Sequence, residues 1–213
     1  MYYPMMLNLE GKNVVIIGGG HVAYQKLKGL EGTNAIITVV SPEILPEIKE
    51  WILRHDAKWI PKEFEPSDIE HANLIFAATN QPAVQREIKK HKKNHQLLLL
   101  ADRPNESDFI TPATLRRGKL TISISTNGAS PSLAKKIKKE LEQQFDENFG
   151  EYVQFLEEAR KMILNEIDDP SFRKYCLTRL LDSDFYQLTM EGNKEKRNQL
   201  LQNLLDSYGN NFM

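Results

Sequence analysis

Between Asn13 and Asp102, short runs of β-branched and leucine residues alternate with stretches whose apolar positions recur at helical spacing. The runs Asn13–Ile17, Ile36–Val40, Lys58–Glu63, Leu74–Ala78 and Leu97–Ala101 predict five strands. Helices are expected to begin near Val22, near Glu43 and at Gln81-Pro82, where a proline suits the first helical turn. Strands this apolar belong in a parallel sheet covered on both faces, so the pattern predicts repeated βαβ units in a doubly wound α/β fold.

After Asp102 the pattern changes. A polar loop, Arg103 to Asp108, leads to Phe109-Ile110-Thr111-Pro112 and then to a separate strand, Leu120 to Ser125. Ser130-Pro131 offers an N-cap followed by proline at N1, opening a helix through Leu133, Ala134, Ile137 and Leu141. Beyond Phe145 the chain reads as all-helical. Tyr152, Phe155, Leu156, Ala159, Ile163 and Ile167 form one apolar stripe, Asp169-Pro170 punctuates it, and Leu200, Leu201, Leu204 and Leu205 form another. The expected division is residues 1–112, an α+β region 113–145 and a helical region 146–213.

Composition narrows the function classes. Of 213 residues, 40% are hydrophobic and 27% charged, with a formal net charge of -1, so no global basic field marks a nucleic-acid binder. The longest apolar runs are far shorter than the ~20 residues a bilayer span needs, so no membrane span is expected. The single cysteine, Cys176, can form neither an internal disulfide nor a cysteine metal cluster, and Met1 to Leu9 does not read as a signal peptide. A cytoplasmic, reducing compartment is expected.

Val14-Val15-Ile16-Ile17 runs into Gly18-Gly19-Gly20-His21-Val22-Ala23, the G-x-G-x-x-A form of the dinucleotide fingerprint in its strand-turn-helix setting. Gly18 permits the tight turn, Gly20 lets backbone approach a pyrophosphate, and Ala23 permits close helix-strand packing. The N–H groups of His21 and Val22 then receive the negative charge, with the His21 ring incidental. The first domain is therefore read as Rossmann-type. The acid usually found at the end of the second strand is missing, since Val39-Val40-Ser41-Pro42-Glu43 stands there. Glu43 either reaches the ribose from just beyond the strand or is a first-turn acid of the next helix. No arginine stands beside it to clasp a 2′-phosphate, which favours NAD over NADP.

Four stretches in one order narrow the choice further. They are the glycine loop with Lys26, Phe76-Ala77-Ala78-Thr79-Asn80, Ala101-Asp102-Arg103-Pro104 leading to Phe109-Ile110-Thr111-Pro112, and Ser123-Ile124-Ser125-Thr126-Asn127-Gly128-Ala129-Ser130-Pro131. Together they resemble the precorrin-2 dehydrogenase / sirohydrochlorin ferrochelatase family of sirohaem synthesis, strongly from about Leu7 to Leu141. The resemblance implies a homodimer whose dimerisation region is residues 113–145. It also implies NAD-dependent oxidation of precorrin-2 to sirohydrochlorin, with iron insertion in some members. It places Ser41, Pro42, Ala78 and Thr79 with the glycine loop at the cofactor, and Asp102 matches the family's functional aspartate.

Read physically, Asp102 ends the fifth strand at the carboxyl edge of the sheet, where ligands of open α/β folds bind. In a partly dry crevice its carboxylate could accept the proton released when hydride leaves the substrate, or it could orient the macrocycle. The bland alternative is a turn aspartate before Arg103-Pro104. A substrate with eight carboxylates needs a positive lining, and between Arg103 and Lys139 eight basic residues face two acids, a net +6. Arg116 and Arg117 are the preferred clasps, whereas Lys135, Lys136, Lys138 and Lys139 read as a solvated helix face. Ser125, Thr126 and Asn127 offer hydroxyls and N–H groups before a helix start, although capping alone explains them. For metals, only His91 and His95 have helical ligand spacing, with no carboxylate to complete a site, so no metal site is expected. Ferrochelation would have to use Asp102 or His21. The competing class is a non-enzymatic NAD-responsive regulatory module, which needs neither Asp102 nor the basic segment.

Overall fold

The computed structural model describes residues 2–211 and, within the last helix, side chains to residue 207. The chain divides into two compact units, Met1–Thr111 and Pro112–Met213. In the first, β1 (Asn13–Ile17), β2 (Ile36–Val40), β3 (Lys58–Ile60), β4 (Leu74–Ala77) and β5 (Leu97–Leu100) form one parallel sheet in the order β3-β2-β1-β4-β5. This is the doubly wound arrangement expected from the alternation of apolar runs. Its helices are α1 (His21–Leu30), α2 (Pro46–Arg54) and α3 (Pro82–His91).

The two sheet faces bury separate cores. Val14, Ile16, Val39, Leu74 and Phe76 pack with Leu27, Ile48 and Trp51 on one side, and Val15, Ile17, Ile75, Ala77 and Leu98 pack with Ile88 on the other. Alternate residues of each strand therefore serve opposite faces. The outer edge of β5 is occupied by the loop that follows it. Asp108 Oδ2 accepts from the Leu98 N–H at 2.8 Å and Ser107 Oγ from the Leu100 N–H at 2.9 Å, which removes an open edge.

Three boundaries differ from expectation for local reasons. β3 stops at Ile60 instead of Glu63 because Pro61 has no N–H to continue the ladder. The second helix begins at Pro46, not near Glu43. Leu45 precedes a proline and is extended (φ -62, ψ 148), and its N–H donates to the Gly19 carbonyl at 3.0 Å. α3 ends at His91, so His95 lies outside it and the helical spacing of His91 and His95 does not exist.

In the second unit, β6 (Ala113–Arg117) and β7 (Leu120–Ile124) form an antiparallel hairpin closed by Gly118-Lys119. β6 was not expected, because one buried residue in five, Leu115, leaves little hydrophobic signal. The hairpin packs with α4 (Pro131–Gln144), whose N-cap is Ser130: its hydroxyl accepts from the Leu133 N–H at 3.2 Å. The helices α5 (Phe149–Glu166), α6 (Pro170–Arg179), α7 (Ser183–Met190) and α8 (Lys194–Asn211) enclose a core of Tyr152, Phe155, Ile163, Phe172, Cys176, Leu180, Phe185, Leu201 and Leu205. Asp169 caps α6, its carboxylate accepting from the Phe172 N–H at 2.6 Å. No described helix is long and apolar enough to cross a membrane.

Candidate active site

The strand order reverses direction between β1 and β4, and at such a switch point the carboxyl ends of the strands splay to leave a crevice. The first-unit segments expected to hold the cofactor meet here. The Gly18 N–H donates to the Val40 carbonyl and the Ala78 N–H to the Ile17 carbonyl, so the loops after β1, β2 and β4 are laced together.

Gly18 has φ +116, and a Cβ there would lie 2.4 Å from the Ala78 carbonyl oxygen, so both its conformation and its space require glycine. Gly19, passed over as a variable position of the fingerprint, is as tightly held. A Cβ would meet the Glu43 carbonyl oxygen at 2.0 Å. Gly20 is the opposite, since a Cβ there would meet nothing within 4 Å. Its bareness faces open space, the cradle an incoming pyrophosphate requires. Gly20 is also the N-cap of α1 and supplies no side-chain cap, so the first-turn N–H groups of His21, Val22 and Ala23 are available to an anion. Ala23 is fully buried, as close helix-strand packing demands, and His21 is exposed. These residues fit a bound dinucleotide.

At the end of β2, Ser41 Oγ donates to the Glu43 carbonyl at 2.7 Å. Glu43 lies three residues before α2, so its reading as a first-turn acid is corrected; Pro42 and Glu43 are exposed in the connecting loop. Ala78 and Thr79 are half-buried beside the glycine loop, and Thr79 Oγ1 accepts from the Gln81 N–H at 3.2 Å.

Asp102 stands in the turn two residues beyond β5. Its Oδ1 accepts a hydrogen bond of 2.9 Å from the Gln85 amide, which also donates to the Thr79 carbonyl at 2.8 Å. Its Oδ2 lies 3.8 Å from Arg103 Nε, an ion-pair distance too long for a good hydrogen bond. The side chain is 57% exposed, so the partly dry crevice expected around it is not present in the chain by itself. Gln85 went unnoticed in the sequence because a glutamine among Arg86, Glu87, Lys89 and Lys90 looks like one more solvated residue. Only its place on the apolar face of α3, one turn before Ile88, hints otherwise.

Lys26 reaches from α1 to Thr111, donating from Nζ to the threonine hydroxyl at 2.7 Å. Burial holds its ammonium below the usual lysine range. In the second unit, Arg117 is tied into the fold: its guanidinium donates to the Phe145 carbonyl at 2.9 Å and pairs with Glu147 at 3.2 Å. Arg116 is exposed on β6. Lys136 and Lys138 face Glu140 and Glu142 one turn on, the solvated face expected of them. The Ser125-Thr126-Asn127 hydroxyls serve their own turn, Ser125 Oγ accepting from the Asn127 N–H and Thr126 Oγ1 from the Ser130 N–H. Among the described residues no cluster of three or more His, Cys, Asp or Glu could hold a metal ion.

Comparison with known proteins decides the family. An NAD(P)-binding family model matches residues 5–113, and a model described as sirohaem biosynthesis protein central matches residues 117–144. A precorrin-2 dehydrogenase of Priestia megaterium is 36% identical over 199 residues, covering 93% of this chain and 98% of the relative. The chain belongs to the precorrin-2 dehydrogenase family. In structure it is similar to SirC, a precorrin-2 dehydrogenase, with a TM-score of 0.80 and 34% identity over 97% of this chain and all of that one. A siroheme synthase of Thioalkalivibrio sulfidiphilus is 27% identical over 97% of this chain but only 42% of its own length, so the chain spans less than half of that relative. Family membership settles the choice between enzyme and sensor in favour of an enzyme.

Proposed function

We propose that the protein oxidises precorrin-2 to sirohydrochlorin with NAD in the synthesis of siroheme. The observation that carries this reading is the carboxylate of Asp102, held through Gln85 to the Thr79 peptide at the same sheet edge as the open Gly20 cradle. The cofactor supplies a hydride acceptor. Gly20 and the first turn of α1 bind its pyrophosphate through backbone N–H groups, while Ser41, Pro42 and Glu43 stand at the ribose and Ala78 and Thr79 at the other side of the crevice.

The reaction removes a hydride and a proton from the macrocycle. Asp102 Oδ2 is the carboxylate oxygen without a hydrogen bond in the described structure, and it takes the proton or fixes the macrocycle against the cofactor. Arg116, with Ser125, Thr126 and Asn127, engages substrate carboxylates. Arg117 contributes by holding the hairpin to the turn between α4 and α5. The hairpin and α4 form a homodimer interface in a cytoplasmic enzyme. Light scattering at micromolar concentration then gives about twice the 24.5 kDa chain mass; the chain mass alone would remove the dimer from the account.

The function is tested by supplying purified protein with NAD and precorrin-2 generated in situ and following the absorption of sirohydrochlorin and NADH together. Stoichiometric appearance of both is expected. Adding ferrous ion to the same mixture, with a protein-free control for spontaneous insertion, shows whether the protein also inserts iron: a faster rate than the control assigns it that second step, and an equal rate removes it.

A further inference from the structure

Two glutamines are buried in the first unit, and they use their amides differently. Gln96 is saturated: its Oε1 accepts from the Lys93 N–H, and its Nε2 donates to the Ile69 and Ala72 carbonyls. It closes a loop, as buried amides commonly do. Gln85 is 2% exposed, and its Nε2 donates to the Thr79 carbonyl at 2.8 Å and to Asp102 Oδ1 at 2.9 Å, while its Oε1 is buried without a partner. Turning the amide over would set its carbonyl oxygen against two acceptors, so the orientation is dictated by Thr79 and Asp102.

A leucine would fill the same place on α3 without leaving a carbonyl oxygen unsatisfied, and an orphaned buried acceptor is costly. The amide therefore answers a need at its other end. We propose that Gln85 is the positioning residue for Asp102, an inference that rests on the assignment of Asp102 to the reaction. One amide proton grips the peptide of Thr79, next to the Ala78 carbonyl that presses on Gly18, and the other grips Oδ1 of Asp102. The carboxylate is thereby fixed to the frame that holds the cofactor. Oδ1 is anchored, and Oδ2, 3.8 Å from Arg103 Nε, is left without a hydrogen bond among the described residues.

The test compares full-length Gln85→Leu, Gln85→Glu, Asp102→Asn and, as a control for loss of a buried amide, Gln96→Leu. Precorrin-2 oxidation is followed as a function of pH, with NAD affinity and melting temperature measured alongside. Gln85→Leu is expected to lower kcat about tenfold while NAD affinity stays within about twofold, the loss of one charge-assisted hydrogen bond in the reacting state. Gln96→Leu lowers the melting temperature without lowering kcat. In Gln85→Glu a protonated glutamic acid has one proton in place of the amide's two, so it can still donate to Asp102 but not to the Thr79 carbonyl as well, whereas an ionised one repels the carboxylate. That variant is expected to keep part of the activity at the acid end of the profile and to lose it as pH rises, a dependence that a purely structural residue does not produce. Full kcat in Gln85→Leu, or parallel loss of NAD affinity, overturns the proposal if Asp102→Asn is crippled. Full turnover in Asp102→Asn overturns the role of Asp102 itself, and this inference with it.

Discussion

Three consecutive glycines do three different jobs, and substitution separates them. Gly20 has room on the protein side, so Gly20→Val is expected to melt near the parent temperature yet lose NAD affinity by about a hundredfold, ~2.7 kcal/mol, in a fluorescence titration. Gly19→Ala places a methyl against a backbone carbonyl and is expected to cost about 1–3 kcal/mol of stability by denaturant unfolding. The fingerprint made Gly18 and Gly20 legible because its glycines have stated physical roles. It hid Gly19, whose constraint comes from the Ser41–Leu45 loop folded against it, a non-local contact. Gln85 was hidden for a similar reason, since no local pattern says that a buried amide will meet a carboxylate from the turn after another strand. In the helical unit, Tyr152 donates to the Leu180 carbonyl at 3.0 Å, and burial, then the charge of Asp182, holds its phenol above the ordinary tyrosine range. The phenol is neutral in both folded and unfolded states below that ordinary range, where its stabilisation is complete. Stability is lost as pH rises through the raised folded-state value. Tyr152→Phe is therefore expected to cost about 1 kcal/mol near neutral pH and to flatten part of the alkaline decline in thermal melts.

At the scale of elements, the five strands of the sheet were legible because strands buried on both faces are nearly continuous apolar runs. β6 escaped notice because it exposes Arg116 and buries only Leu115, so neither periodicity is strong. The beginning of α2 was misplaced by the acid at Glu43, when the decisive residue was Pro46, which forces Leu45 out of the helical region. Ser130 was read correctly as a cap because the serine-proline pair is a local signal with a local cause. Ser130→Ala is expected to lower stability by about 1 kcal/mol through loss of the bond from the Leu133 N–H, measured by chemical denaturation. If the hydroxyl serves only this cap, the KM for precorrin-2 stays unchanged.

At the scale of the molecule, the two units have separate cores. The first carries the glycine loop, Gln85 and Asp102, and the second carries the hairpin, Arg116 and the helices. The sequence pointed to the family through the order of four segments, which the relatives then bore out. The anchoring of Asp102 emerged only when helix, loop and strand end were seen together. The central claim is that this carboxylate acts on the substrate and not on the cofactor. It is tested most directly by single-turnover oxidation of precorrin-2 with NAD-saturated protein, comparing the parent with Asp102→Asn, whose amide preserves shape but cannot accept a proton. The account predicts a fall in the rate of NADH and sirohydrochlorin formation of about a hundredfold or more, with NAD affinity unchanged. A parent-like rate in Asp102→Asn, measured with the same bound NAD, would contradict it.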